Sequence, residues 1–122
     1  MNNRNDENNT EISPTQSNTF KVRGFKNRQH LMNHWQEHGY QYKGYSKEQY
    51  EGRALQLIES AVGENILGHV DKNGVIVRYD TQTNDFVKGS PNKGIFTMFK
   101  PDEGISYYFN QRREDIEHGG RG

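Results

Sequence analysis

The chain contains no cysteine, which excludes disulfides, a thiolate nucleophile and any Cys-ligated zinc site. Apolar residues are also scarce, at 30% of 122 positions, with a mean hydropathy of −1.18. No run approaches the roughly 18 apolar residues of a membrane helix, and the N-terminus lacks the apolar core of a signal peptide. The expectation is a chain without a membrane anchor or an export signal of its own, acting in the cytoplasm.

What apolar content there is has been concentrated. Residues 1–19 hold six asparagines and only Met1 and Ile12 as apolar side chains, so they read as a disordered leader. Residues 114–122, ending Gly119-Gly120-Arg121-Gly122, read as a flexible tail. One domain is expected over residues 20–113. The net charge of zero conceals an asymmetry: residues 20–113 carry 14 Lys and Arg against 10 Asp and Glu, and the flanks carry 2 basic and 6 acidic residues. A mildly basic body can bind a polyanion, although it falls short of the pI above ~9 of a dedicated nucleic-acid binder. The stretch Lys21-Val22-Arg23-Gly24-Phe25-Lys26-Asn27-Arg28 has four cations and no acid. Lys26 and Arg28 are therefore candidate RNA contacts, with a merely solvated segment as the alternative.

Helical signals come first along the chain. Asn27 can cap a helix over residues 28–38, with Gly39 expected in the left-handed conformation just past its end. Leu31, His34, Trp35 and His38 follow the i, i+3, i+4, i+7 pattern of an apolar face, with His30 at its edge. Residues 40–45 make an aromatic loop around Gly44. Ser46 caps a second helix and Gln49 completes a capping box; Tyr50, Ala54, Leu57, Ile58 and Ala61 form its buried stripe, and Gly63 ends it. From Ile66 the period changes to two. Strands are expected over residues 66–70, 75–79, around Phe86-Val87, and over 95–100, with a tight turn at Asn73-Gly74. Residues 105–113 fit helix or strand. The predicted fold is α+β: two N-terminal helices packed on a four-stranded antiparallel meander.

Three of the five histidines, His30, His34 and His38, fall four residues apart and so line one side of the first helix. Histidine exchanges protons near neutral pH and also ligates metals. Metal-free cleavage of RNA needs a base for the 2′-hydroxyl proton, an acid for the leaving 5′-oxygen, and cations or donors for the phosphorane. His34 or His38, with Arg78, Thr97 and Lys100, supplies that set without a cofactor or metal. Strand alternation puts Arg78 with Ile76 and Asp80, and puts Thr97 and Lys100 on opposite faces unless Lys100 swings over the strand end. An Arg78 ion pair with Asp80 or Asp85 is the structural alternative. The rival chemistry is zinc: His34-Trp35-Gln36-Glu37-His38 matches H-x-x-E-H, whose proteases need a distant third ligand, for which His69 or His118 are the remaining histidines. A stripe that only packs is the third option.

The segments His34-Trp35-Gln36-Glu37-His38-Gly39, Gly74-Val75-Ile76-Val77-Arg78-Tyr79-Asp80-Thr81-Gln82-Thr83-Asn84-Asp85-Phe86, Gly94-Ile95-Phe96-Thr97-Met98-Phe99-Lys100-Pro101 and Tyr107-Tyr108-Phe109 also occur together in order. In order and spacing, residues 26–113 resemble the C-terminal toxin domains of bacterial polymorphic and contact-dependent toxins. Those domains belong to the barnase/EndoU/colicin/RelE-like nucleases, a superfamily that also has prophage-encoded members. The resemblance implies a barnase/RelE-like fold and a monomeric, metal-independent endoribonuclease, often aimed at tRNA and held harmless by a cognate immunity protein. It implies action in the cytoplasm of the producing or the target bacterial cell. The family's recurrent polar positions fall on His34, His38, Arg78, Thr97 and Lys100. Relatives tend to carry a basic residue where this chain has Glu37. Tyr107 and Tyr108, with Tyr40, Tyr42 and Tyr45, could stack on bases, either in the enzyme or in the alternative, a non-catalytic RNA- or protein-binding module on the same fold.

Overall fold

In a computed structural model describing residues 19–118, the first helix, α1 (Arg28–His38), begins where the Asn27 side chain accepts from the His30 N–H at 2.8 Å, satisfying one of the orphan donors of the first turn. Its end differs from expectation. Gly39 is right-handed (φ −57°, ψ −27°), and the chain tightens into a 3₁₀ turn, Gly39–Gln41. A Cβ there would lie 3.1 Å from the Trp35 indole, so a side chain would require the ring to give by a few tenths of an ångström. The left-handed turn comes later, at Gly44 (φ +87°).

The second helix, α2 (Lys47–Ile58), opens with the predicted capping box between Ser46 and Gln49 and buries Tyr50, Ala54, Leu57 and Ile58. It stops at Ile58, before Gly63, and Ala61 is exposed. Beyond Ile58 the Ser60 carbonyl accepts from Arg78 Nε at 2.9 Å instead of continuing the helical ladder.

Four strands follow as a meander: β1 (Ile66–Val70), β2 (Ile76–Asp80), β3 (Asp85–Ser90) and β4 (Gly94–Phe99), in spatial order β1-β2-β3-β4 and antiparallel throughout. The expected strands are present, with β3 extending to six residues. Gly74 makes the first hairpin turn at φ +83°, and a bulge at Lys88/Gly89 shifts the β3–β4 register. Residues 105–113 resolve as a helix, α3 (Ile105–Arg113), continued by a π-helical turn, Glu114–His118.

The fold is α+β, as the residue pattern predicts, but helices cover both faces of the sheet. Against α1 and α2 lies a core of Phe25, Leu31, Tyr50, Leu57, Ile58, Ile76, Val87, Ile95 and Met98. On the other face Val77, Tyr79 and Phe86 pack with Tyr108 of α3. Tyr108 also donates to, or accepts from, His69 Nδ1 at 3.0 Å, and His69 Nε2 meets Asp115 at 2.7 Å, so the packed body extends past residue 113. The leader expected over residues 1–19 lies outside the described residues except for Thr19, as do residues 119–122 of the tail. No described helix is long and apolar enough to cross a membrane.

Two buried carboxylates brace the β2–β3 turn. Asp80 accepts from Arg53 at 2.8 Å, Asn65 at 2.9 Å and the N–H groups of Gln82 and Thr83 at 2.8 and 3.2 Å. Burial alone would raise its pKa, but these donors overcome it and bring the carboxyl from 3.8 down to about 2. A carboxylate depressed in this way stabilises the fold above its unfolded-state pKa and loses that contribution as pH falls through the folded value. Urea unfolding should therefore lose about 2 kcal/mol from this group between pH 4 and pH 2, and Asp80→Asn should remove that part of the pH dependence. An unchanged slope in the variant would show that other groups carry the acid sensitivity.

Candidate active site

Helix α1 lies along the outer edge of β4. Leu31 and Trp35 turn inward to the core beside Tyr50, and the three histidines, one turn apart, follow the strand. His30 Nε2 lies 2.9 Å from the Phe96 carbonyl. A carbonyl can only accept, so this nitrogen carries the proton. His34 Nδ1 lies 3.3 Å from Thr97 Oγ1. His38 stacks on the Phe99 ring, with centroids 5.3 Å apart and planes at 23°. The rings are continuous, with centroids 4.7 Å apart for His30 and His34 and 5.8 Å for His34 and His38.

Thr97 and Phe99 share the sheet face that carries α3, as alternation requires: Phe99 packs with Phe86 and Tyr107, and Thr97 is the register partner of Lys88. A cleft of about 220 Å³ opens at the C-terminal end of α1, lined by His38, Tyr40, Gln41, Phe99, Lys100, Pro101, Asp102 and Glu103; it meets the row at His38 and Phe99, not at His34 and Thr97. Burial lowers the His34 pKa, and His30 and His38 lower it further, against a small opposing effect of Glu37. Burial also lowers that of His38, where Glu37, its carboxylate 3.8 Å from Nε2, pulls the other way. Two half-buried, mainly neutral imidazoles beside a hydroxyl and an open cleft suit proton transfer.

The structure thus brings His34, His38 and Thr97 together and separates the other two members of the expected set. Lys100 stays on the opposite face. Its Nζ donates to Asp85 and to the Thr83 carbonyl, both at 2.9 Å, and sits 4.9 Å over the Tyr42 ring. The swing over the strand end does not occur because a buried carboxylate holds the ammonium. Arg78 is 2% exposed, crosses Gly68, and donates to the carbonyls of Ser60 and Val77 at 2.9 and 2.8 Å. The Ser60 carbonyl lies two residues past the end of α2, so Arg78 ties the chain leaving that helix to β2, and burial lowers its pKa. The alternative Arg78 pairing with Asp80 or Asp85 does not form either, because Arg53 occupies both carboxylates.

Among the expected RNA contacts, Lys26 and Arg28 are exposed at the start of α1. Tyr107 meets Phe99 edge-on beside the cleft. Tyr108 is 2% exposed and held by His69, so it cannot stack on a base. His69, considered as a distant metal ligand, sits on β1, the edge of the sheet opposite β4, roughly 14 Å away at the usual strand spacing. The side chain of His118 lies outside the described residues.

Sequence reasoning missed Phe99, Gln41 and Lys88. The alternation that paired Thr97 with Phe99 already contained the first. Gln41 clasps the backbone of Lys100 at both its N–H and carbonyl, at 2.9 and 2.7 Å, a role with no sequence signature. Lys88 follows only from the register. The sequence matches no protein-family model and no curated protein.

Since Lys100 neutralises a buried carboxylate, Lys100→Met should lower stability by about 1–2 kcal/mol in denaturant unfolding. A variant as stable as the parent would show that Arg53, Tyr42 and Thr83 satisfy Asp85 without Lys100.

Proposed function

We propose that the protein is a metal-independent endoribonuclease of the kind found in bacterial toxin domains, cleaving RNA by transphosphorylation. The observation that carries this reading is the row His34–Thr97 and His38–Phe99 where α1 runs along β4. His34, whose charged form is disfavoured by burial and by two histidine neighbours, removes the 2′-hydroxyl proton. The 2′-oxygen attacks phosphorus, and the 5′-oxygen leaves with a proton from the protonated fraction of His38, which burial reduces and Glu37 partly restores. Thr97 Oγ1 donates to a non-bridging oxygen as negative charge builds there. Lys88, opposite Thr97 in the register and partly exposed, supplies the cation in place of Arg78 and Lys100. Phe99 and Tyr107 form an apolar wall for a base, and Lys26 with Arg28 meets the backbone upstream. A cleaved tRNA and an immunity protein covering the cleft are the substrate and partner that the family resemblance favours.

Purified protein should cut total RNA in excess EDTA and leave 2′,3′-cyclic phosphate ends. His34→Ala and His38→Ala should each cut more slowly, at least one of them by about 10²–10⁴-fold. Thr97→Val should lower turnover by up to ~10²-fold with little change in RNA affinity. If the intact chain binds RNA without cutting it, the non-catalytic binding module is correct. If it cuts but both histidine variants keep the parental rate, the chemistry lies off this helix.

A further inference from the structure

Ribonuclease chemistry gives Glu37 only a secondary role, partly restoring the charge of His38 against burial. The Glu37 side chain is 70% exposed at the mouth of a site meant for a polyanion, where a carboxylate opposes binding. One turn of helix also puts it between the two active histidines. Donor atoms of His34, Glu37 and His38 all lie within 4.8 Å of one another, with the Glu37 carboxylate 3.8 Å from His38 Nε2. A tetrahedral zinc site with metal–ligand bonds of about 2.0–2.1 Å needs donors roughly 3.3 Å apart. The closure required is within reach of a rotamer change in the exposed Glu37 side chain. The two imidazoles, 5.8 Å apart and stacked at 28°, must also turn about χ2 so that their in-plane lone pairs converge on one ion.

We propose that His34, Glu37 and His38 bind one borderline transition-metal ion of the zinc class, and that the ion switches the nuclease off. Two imidazoles and one carboxylate are a donor set for Zn²⁺, Co²⁺ or Ni²⁺; Mg²⁺ and Ca²⁺ prefer all-oxygen sites and are excluded by ligand type. Three protein ligands leave a fourth position open toward the cleft, for water or a phosphate oxygen. The H-x-x-E-H spacing therefore serves a local three-ligand site, with Glu37 as a ligand, and not a protease centre completed by a distant histidine, since His69 is across the sheet. Binding and inhibition are separable. The site stands on the three side chains alone, whereas inhibition rests on the ribonuclease reading, because a metal on His34 and His38 occupies the lone pairs that proton transfer needs.

The test uses the intact chain stripped with EDTA and then dialysed. Calorimetric titration with Zn²⁺, and the visible absorption of added Co²⁺, should report one site. His38→Ala and Glu37→Gln, each checked for folding by circular dichroism, should bind at least ~10-fold more weakly, and Mg²⁺ should not compete. In the cleavage assay Zn²⁺ should inhibit and EDTA should restore the rate. Glu37→Gln should need about 10-fold more Zn²⁺ for half-inhibition relative to its own zinc-free rate. Absence of zinc binding, or equal binding by the variants, overturns the site even if RNA is cut. Zinc binding by a chain that cuts no RNA supports the site and overturns the ribonuclease reading. Cleavage that requires zinc overturns inhibition and metal independence together.

Discussion

Asp85 is 2% exposed and accepts from Tyr42 at 2.8 Å, Lys100 at 2.9 Å, Thr83 at 2.8 Å and Arg53 at 3.1 Å. A buried carboxylate without such partners would be prohibitively costly. The donors come from the loop after α1, the end of β4, the β2–β3 turn and α2. One charge therefore fixes four parts of the chain to a common point. Because the loop leaving α1 and the end of β4 are both tied there, and Gln41 clasps the Lys100 backbone beside it, α1 has little freedom except to run back along β4. The histidine row follows from that constraint.

The same helix solves a second problem. β4 is an edge strand, and an uncovered edge invites pairing with other chains. Here the Ile95 N–H donates to the Gly24 carbonyl at 2.8 Å, the Phe96 carbonyl faces His30, and Phe25 forms an isolated parallel bridge to Ile95. Gly94, at φ +91°, lets this segment approach, since a Cβ there would lie 2.6 Å from the Gly24 carbonyl. Edge protection and presentation of the histidines are thus one arrangement.

The elements with strong local signals could be read in the sequence. The Asn27 cap, the Ser46–Gln49 box, the Asn73-Gly74 turn and the period-two strands each depend on a few adjacent residues, and the fold class follows from their order. Alternation also placed Arg78 and Asp80 on one face and separated Thr97 from Lys100. The hope that Lys100 would cross the strand end set a functional expectation against a geometric rule, and the rule prevailed. What could not be read depends on long-range partners. Arg53 sits in the middle of α2, with nothing nearby to show that it faces Asp80 and Asp85. Residues 105–113 commit to helix because Tyr108 packs under β1 and β2, against His69 and Tyr79.

The conspicuous motif R-Y-D-x-x-T-N therefore turns out to be scaffold. Arg78 ties the chain leaving α2 to β2, Asp80 and Thr83 complete the Arg53 network, and the Asn84 side chain bonds both the Tyr79 hydroxyl and the Pro101 carbonyl, at 2.6 and 3.0 Å. The three histidines, by contrast, share one spacing and differ by what each meets. His30 meets a carbonyl, which commits a ring proton to the strand edge. His34 meets a hydroxyl and two other imidazoles, which favour its neutral form. His38 meets an aromatic face, and burial lowers its pKa while the Glu37 carboxylate acts in the opposite sense. A repeat of identical side chains on a uniform helix becomes a set of unlike groups only because the strand beside it is not uniform. That asymmetry is written as much in Phe96, Thr97 and Phe99 as in the histidines themselves.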